Sequence, residues 1–326
     1  MKKQKIVTIG GGSGSFMVLS GLKKLPVELT AIVSMADDGG SSGVLRDELG
    51  VLPPGDVRQC LVALSKSSLT LRKLFNYRYS GGSFKGHTFG NIFLSTLEKV
   101  SGSLDQSIEE ASRILRISGR VLPVTLKNAR LIAVLKNGKK IIGENKIYGN
   151  TVDLINVKRF YLTPAVPLNP EIKGVIKQAD KIIICPGDLS SSIIPNFLAK
   201  GMRQVLVKSK AKIIYVCNLM NKQDHTDNFT LVDYVKAIEQ YAGRATIGYV
   251  IYNKERPNRE LLKKYFRRKE TLVALGDLKQ LPRVKIFYYN LLSHKVYRAS
   301  KGDALGGLRS LIRHNSKKLA EVIYKI

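Results

Sequence analysis

The most constraining feature of this 326-residue chain lies in its first 40 residues. A short apolar run, Lys5 to Ile9, ends in Gly10, Gly11, Gly12, Ser13 and Gly14, and a helical pattern through Val18, Leu19 and Leu22 follows. Val27 to Met35 then reads as a second buried strand and hands over to Ala36, Asp37, Asp38, Gly39 and Gly40. Strand, glycine turn, helix and strand at this spacing predict a parallel βαβ unit with its loops at the carboxyl ends of the strands.

The same grammar returns in the second half. Lys181 to Cys185 runs into Pro186, Gly187 and Asp188; Ala211 to Cys217 runs into Asn218; Thr246 to Tyr252 runs into Asn253. Helical patterns fill Ile194 to Lys208 and Leu231 to Tyr241, and Leu305 to Lys325 reads as a terminal helix. Between Gly119 and Pro167 the pattern changes to short strand-like runs, Val121 to Leu126, Ala129 to Leu135 and Lys139 to Glu144. Asn137-Gly138 between the last two is a strong hairpin signal. The expectation is an α/β fold with a doubly wound, mostly parallel sheet. It forms one domain over 1–326 with a small antiparallel β insertion at 119–167.

Composition bears on partners. The 54 Lys and Arg against 25 Asp and Glu leave a net charge of +29, and more than half of that surplus lies after residue 200. Such a charge favours anionic partners without choosing among them. Trp is absent and no RRM, KH or zinc-finger signature is present, so nucleic acid is not the expected partner. The three cysteines, Cys60, Cys185 and Cys217, have no C-x-x-C spacing, which argues against a disulfide framework and for a reducing compartment. No run approaches a membrane span, so a cytoplasmic protein is expected, with homo-oligomerisation left open.

Five loops carry the chemistry. Gly11, Gly12, Ser13 and Gly14 open a helix with unshielded amides and hydroxyls, which suits a phosphate; the alternative is a tight turn that lets strand and helix pack. The third glycine of a dinucleotide fingerprint is missing, because G-x-G-x-x-G from Gly10 meets Ser15. Asp37 and Asp38, followed by Ser41 and Ser42, could hold magnesium or a ribose. Asp56 reads as a helix N-cap with Arg58 in the first turn, and His87 and Asn91 flank another helix start. Gly187 and Asn218 mark the fourth and fifth loops. Loops of this kind at strand ends converge on the crevice where doubly wound sheets bind phosphorylated or nucleotide ligands. No Ser-His-Asp or Cys-His arrangement is legible, and no residue is assigned as catalytic.

Several blocks resemble a known family. These are "ADDGGSSGVLRDELGVLPPGDVRQCL" from Ala36 to Leu61, "GHTFGN" from Gly86 to Asn91, "RVLPVT" from Arg120 to Thr125, "SSIIPN" from Ser191 to Asn196, "CNLM" from Cys217 to Met220 and "RHNSKKLAE" from Arg313 to Glu321. They are similar to the bacterial gluconeogenesis factor family (YvcK-like), itself related to 2-phospho-L-lactate transferase (CofD-like). The resemblance implies a Rossmann-like sheet and a bacterial, cytoplasmic regulator of carbon metabolism and of cell-wall and cell-shape homeostasis. It implies a UDP-sugar ligand such as UDP-N-acetylglucosamine, held by Gly11 to Gly14, Asp37, Asp38, Ser41, Ser42, Asp56, Arg58, His87 and Asn91. Arg58 or Arg313 would pair with the diphosphate. The related transferases instead imply a magnesium-dependent phospholactate-type transfer from a nucleotide donor, and an NAD(P)-binding protein is a third reading. The chain departs from the family pattern at Asp188, where a serine is usual, and at Gln223 to Thr226, where Pro-Gly-Glu-Thr is usual.

Overall fold

The computed structural model describes residues 3–149, 154–294 and 311–326. Its opening is the expected unit: β1 (Gln4–Ile9), α1 (Gly12–Leu22) and β2 (Val27–Val33), with Ile6 beside Leu29 and Ile9 beside Ile32 in parallel register. Further strands are β3 (Arg120–Pro123), β4 (Arg130–Leu135), β5 (Lys140–Ile142), β6 (Val157–Thr163), β7 (Lys181–Ile184), β8 (Lys212–Val216), β9 (Tyr249–Asn253) and β10 (Lys285–Tyr289). Seven of them form one sheet in the order β10-β9-β8-β7-β1-β2-β3, and every neighbouring pair is parallel.

The central strands are apolar at nearly every position because helices cover both faces of the sheet. Along β7, Ile182 and Ile184 pack into one core and Ile183 into the other, the period-two alternation of a strand with no solvated side. The same rule corrects one expectation. The run from Val121 does not begin the insertion: Arg120–Pro123 pairs with β2, Val121 beside Ala31, as an edge of the main sheet. Its two-sided burial, Val121 into one core and Leu122 into the other, is the physical reason.

The insertion proper is a three-stranded antiparallel sheet, β5-β4-β6, with the Asn137-Gly138 turn between β4 and β5. A short helix, Glu144–Gly149, follows β5 where the sequence pattern continues a strand to Glu144. The terminal helix spans Ser316–Lys325; residues 305–310 of the longer expected helix lie outside the described residues.

That terminal helix packs on α1, and Leu319 and Ile323 share a core with Leu19 and Leu22. The approach is close enough that a Cβ on Gly21 would run into the Ser316 carbonyl. Lys181, whose ammonium is partly stripped of water, donates to the Ile323 and Tyr324 carbonyls at 2.9 and 2.7 Å and satisfies the end of the helix. Gly21→Ala is expected to destabilise the fold by about 1–3 kcal/mol through overpacking. Gly174→Ala, in a helix position facing open space, is expected to stabilise it by roughly 0.5–1 kcal/mol. Urea unfolding of both variants checks the pair.

Candidate functional site

Between β1 and β7 the strand order reverses, since the chain builds β2 and β3 on one side and β8 to β10 on the other. Loops at such a point diverge and leave a crevice at the carboxyl ends of the strands. Here the crevice is a cavity of about 520 Å³. One wall is the turn Gly11–Gly14 after β1, and another is the turn Pro186–Ser192 after β7. The two turns touch: a Cβ on Gly14 would overlap the Pro186 carbonyl, so only glycine lets them meet. Gly11 caps α1 without a side-chain bond, which leaves first-turn amides of the helix facing the cavity wall.

Of the residues expected to bind ligand, Gly11, Gly12, Ser13, Gly14, Asp37, Asp56, Gly187, Asn218 and Arg313 line this cavity. Asp38, Ser41, Ser42, Arg58, His87 and Asn91 are not among its walls. Ser41, Arg58, His87 and Asn91 stand behind it as a brace. Ser41 Oγ lies 3.1 Å from His87 Nδ1 and accepts from Asn91 Nδ2 at 3.1 Å. Asn91 Oδ1 accepts from Arg58 Nε at 2.8 Å, and Arg58 Nη1 donates to Asn76 at 2.6 Å. Arg58 is buried in this network, which ties four helices together: α2 (Gly40–Leu49), α3 (Gly55–Leu64), α4 (Leu69–Asn76) and α5 (Phe89–Ser101). Ser42 donates to the Asp37 carboxylate.

Asp56 does not cap its own helix, α3 (Gly55–Leu64); its Oδ1 accepts from the Gly12 amide at 2.8 Å and so joins α3 to the glycine turn. Asp37 and Asp38 part company. Asp37 faces the cavity and accepts from the Gly39 amide at 3.0 Å. Asp38 accepts from the Asn145 amide at 2.6 Å and lies 4.0 and 3.8 Å from Arg46 and Arg130. With one carboxylate engaged by two guanidinium groups, the pair does not fit a magnesium site. Among the described residues no group of three His, Cys, Asp or Glu is arranged to hold a metal ion.

Other wall residues were not among the candidates, and all but His314 come from segments that carry no local signal. Glu144 and Tyr148 arrive from the short helix of the insertion, and Tyr265, Arg268, Glu270 and His314 from the last quarter of the chain. Lys222 belongs to the fifth loop, and its ammonium stands 3.1 Å from the centre of the Tyr148 ring. Burial dominates the electrostatics. It raises the Asp37 carboxyl, with Asp38 adding to the effect and the Gly39 and Ser42 hydrogen bonds opposing it. Burial, then the charge of Asp37, pushes Asp56 up to about 7. Burial, then Asp37, Asp188, Asp38 and Asp56, pushes Glu144 up to about 9.

The 2-phospho-L-lactate transferase (CofD) family description matches residues 6–291. A Bacillus subtilis gluconeogenesis factor is 40% identical over 81% of this chain and 83% of its own length. A Thermotoga maritima protein, provisionally given the same name, is 42% identical over 99% of both chains. The chain belongs to the gluconeogenesis factor family. A crystal structure of a UPF0052-family protein from Bacillus halodurans shares the fold, with a TM-score of 0.90 over 99% of each chain at 34% identity.

Within this family frame, the departure at Asp188 has a local explanation. Its Oδ1 accepts from the amides of Ser190 and Ser191 at 3.0 and 2.9 Å and from the Ser190 hydroxyl at 2.7 Å, so the carboxylate holds its own turn together. Asn218 clamps the same turn, accepting from the Gly187 amide at 3.2 Å and donating to its carbonyl at 2.7 Å. The fourth loop is therefore built to be rigid.

Asp56 generates a pH prediction. Its carboxyl is raised in the folded chain from an ordinary value near 4, so the folded state binds the proton more tightly than the unfolded state. The stability this contributes is present below about pH 4 and is lost as pH rises towards about 7. Asp56→Asn keeps an acceptor for the Gly12 amide and removes the titration. Its stabilising effect is expected to be about 1–3 kcal/mol larger at pH 8 than at pH 4.5. Equal effects in urea unfolding at the two pH values contradict this.

Proposed function

We propose that the crevice binds a UDP-sugar, of which UDP-N-acetylglucosamine is the first to test, and that the chain is a cytoplasmic regulator of carbon metabolism and of cell-wall and cell-shape homeostasis. The observation that carries this reading is the contact of the Gly11–Gly14 and Pro186–Ser192 turns at the point where the sheet reverses. Helix amides at such a point are suited to a diphosphate. A volume of about 520 Å³ falls in the range of pockets that enclose small ligands. Lys222, Arg268 and Arg313 add positive charge around the same space. The gluconeogenesis factor name of the relatives supports the link to carbon metabolism. Among the described residues no helix is long and apolar enough to cross a membrane, which is compatible with the cytoplasmic setting.

The carboxylates set the expected choice of sugar. Asp37, Asp56, Asp188 and Glu144 all line the cavity, and the first three oppose the ionisation of Glu144. A sugar carboxylate brought into that neighbourhood meets the same repulsion, whereas hydroxyl groups can donate to it. In thermal-shift assays, a bound UDP-sugar at 100 times its dissociation constant stabilises the fold by roughly 2.7 kcal/mol. UDP-glucose or UDP-N-acetylglucosamine is expected to stabilise the protein, and UDP-glucuronate to do so less at equal concentration. No shift with any UDP-sugar at millimolar concentration rules out the proposed ligand.

One alternative has its own support. The family description names a transferase, which raises transfer of a phosphorus-containing group from a nucleotide donor. That reading expects nucleoside monophosphate release that is lost in Asp37→Asn. Chromatography showing no release from a panel of nucleotide-linked donors removes it.

A further inference from the structure

The cavity is bordered on one side by a basic lip. Tyr265, Arg268 and Glu270 line the cavity, and Arg268 is also exposed, so the chain here runs along the opening. From residue 256 to residue 270 there are seven Lys and Arg against two Glu, Glu260 and Glu270. All seven basic side chains are exposed, and none is ion-paired with a carboxylate among the described residues. The backbone beneath them is tied down. The Tyr265 hydroxyl accepts from the amides of Leu311 and Ile312 at 2.7 and 3.1 Å, and the Tyr265 carbonyl accepts from those of Arg268 and Glu270 at 2.8 and 3.1 Å. The charges are therefore anchored at the rim of the crevice.

Four of the seven border the opening without being among its walls. Lys269 lies between the wall residues Arg268 and Glu270, and Arg267 directly precedes Arg268. Lys263 and Lys264 stand about one turn back, on the helix Arg259–Phe266. A turn rises about 5.4 Å, so their backbones are within roughly 10 Å of Arg268, which is about a Debye length at 0.1 M salt. At that range unpaired charges of one sign sum to a common field. Inside the crevice an anion meets a different setting, since Asp37, Asp56, Asp188 and Glu144 give the cavity an acidic side. The lip is thus where a diphosphate is attracted on its way in, before Lys222, Arg268 and Arg313 can touch it.

We propose that Lys263, Lys264, Arg267 and Lys269 form an electrostatic entrance that speeds capture of the anionic ligand and does not hold it once bound. The inference rests on the nucleotide reading of the crevice and adds the surface that sets its rate of filling.

Stopped-flow mixing of the full chain with UDP carrying a fluorescent N-methylanthraniloyl group on its ribose tests it. One variant combines Lys263→Gln, Lys264→Gln, Arg267→Gln and Lys269→Gln. A control combines Lys24→Gln, Lys177→Gln, Lys208→Gln and Lys210→Gln, which remove the same charge from segments that lead into the amino ends of β2, β7 and β8, opposite the crevice. All eight positions are exposed, so neither set is expected to disturb folding. At about 20 mM salt the lip variant is expected to associate about tenfold more slowly than the unaltered protein, with dissociation within about twofold. At about 300 mM salt the difference is expected to shrink to about twofold, and the control is expected to stay within about twofold throughout. Equal slowing in both variants, or a lip variant changed in dissociation and not in association, overturns the entrance and leaves the nucleotide reading standing. On the unaltered protein, an association rate that does not fall with salt overturns it without recourse to any variant. Absence of UDP binding at every salt concentration overturns the nucleotide reading and the entrance with it.

Discussion

The crevice depends on one steric contact, the approach of Gly14 to the carbonyl of Pro186. The two residues belong to turns that follow adjacent strands, β1 and β7, but they are separated by more than half the chain. Any side chain at position 14 would overlap the Pro186 carbonyl and push the turns apart. Asp56 reinforces the same junction by taking the Gly12 amide, and Asn218 does so from the other side by gripping Gly187. Backbone and short polar side chains thus position the walls, and the long side chains of the cavity arrive from elsewhere.

The insertion owes its place to charge. Asp38 accepts from the Asn145 amide at the start of the short helix Glu144–Gly149 and stands near Arg46 and Arg130. A nearly inaccessible carboxylate is costly without such partners, so this arrangement holds the three-stranded sheet at a set distance from the glycine turn. The result is that Glu144 enters a cavity already lined by Asp37, Asp56 and Asp188. In a chain with a net charge of +29, this crevice has a distinctly acidic side. Among the described residues, the basic groups that line the crevice are Lys222, Arg268 and Arg313.

The two aspartates that follow β2 show how far a motif can be read. Their identity and their position at a strand end are plain in the chain, and both were candidates for one cation. Backbone direction separated them: Asp37 faces the cavity and Asp38 turns to the insertion. Ser41, Arg58, His87 and Asn91 are a related case, since their clustering was anticipated but their role was not. They bond to one another and to Asn76 behind the wall, and act on the site by holding α3 and its neighbouring helices in register. Short-range pattern identifies such residues as belonging together; it does not say which of them reaches the ligand.

What the sequence by itself determined is the parallel sheet, its glycine turn and the loops that meet at the strand ends. Those features follow from local rules: buried strands are continuous apolar runs, a glycine turn breaks them, and Asn-Gly makes a hairpin. Tertiary structure alone decided that Arg120–Pro123 completes the main sheet, that Asp56 bonds across to Gly12 and that Glu144, Tyr148, Arg268 and His314 complete the cavity. The physical reason is that Glu144, Tyr148 and Arg268 lie on the insertion or in the last quarter of the chain, where no motif marks them, while Asp56, Arg120–Pro123 and His314 sit in marked blocks whose pattern does not say what they face. Their partners are set by how the packed layers bring distant segments together, and a one-dimensional pattern carries no record of that distance.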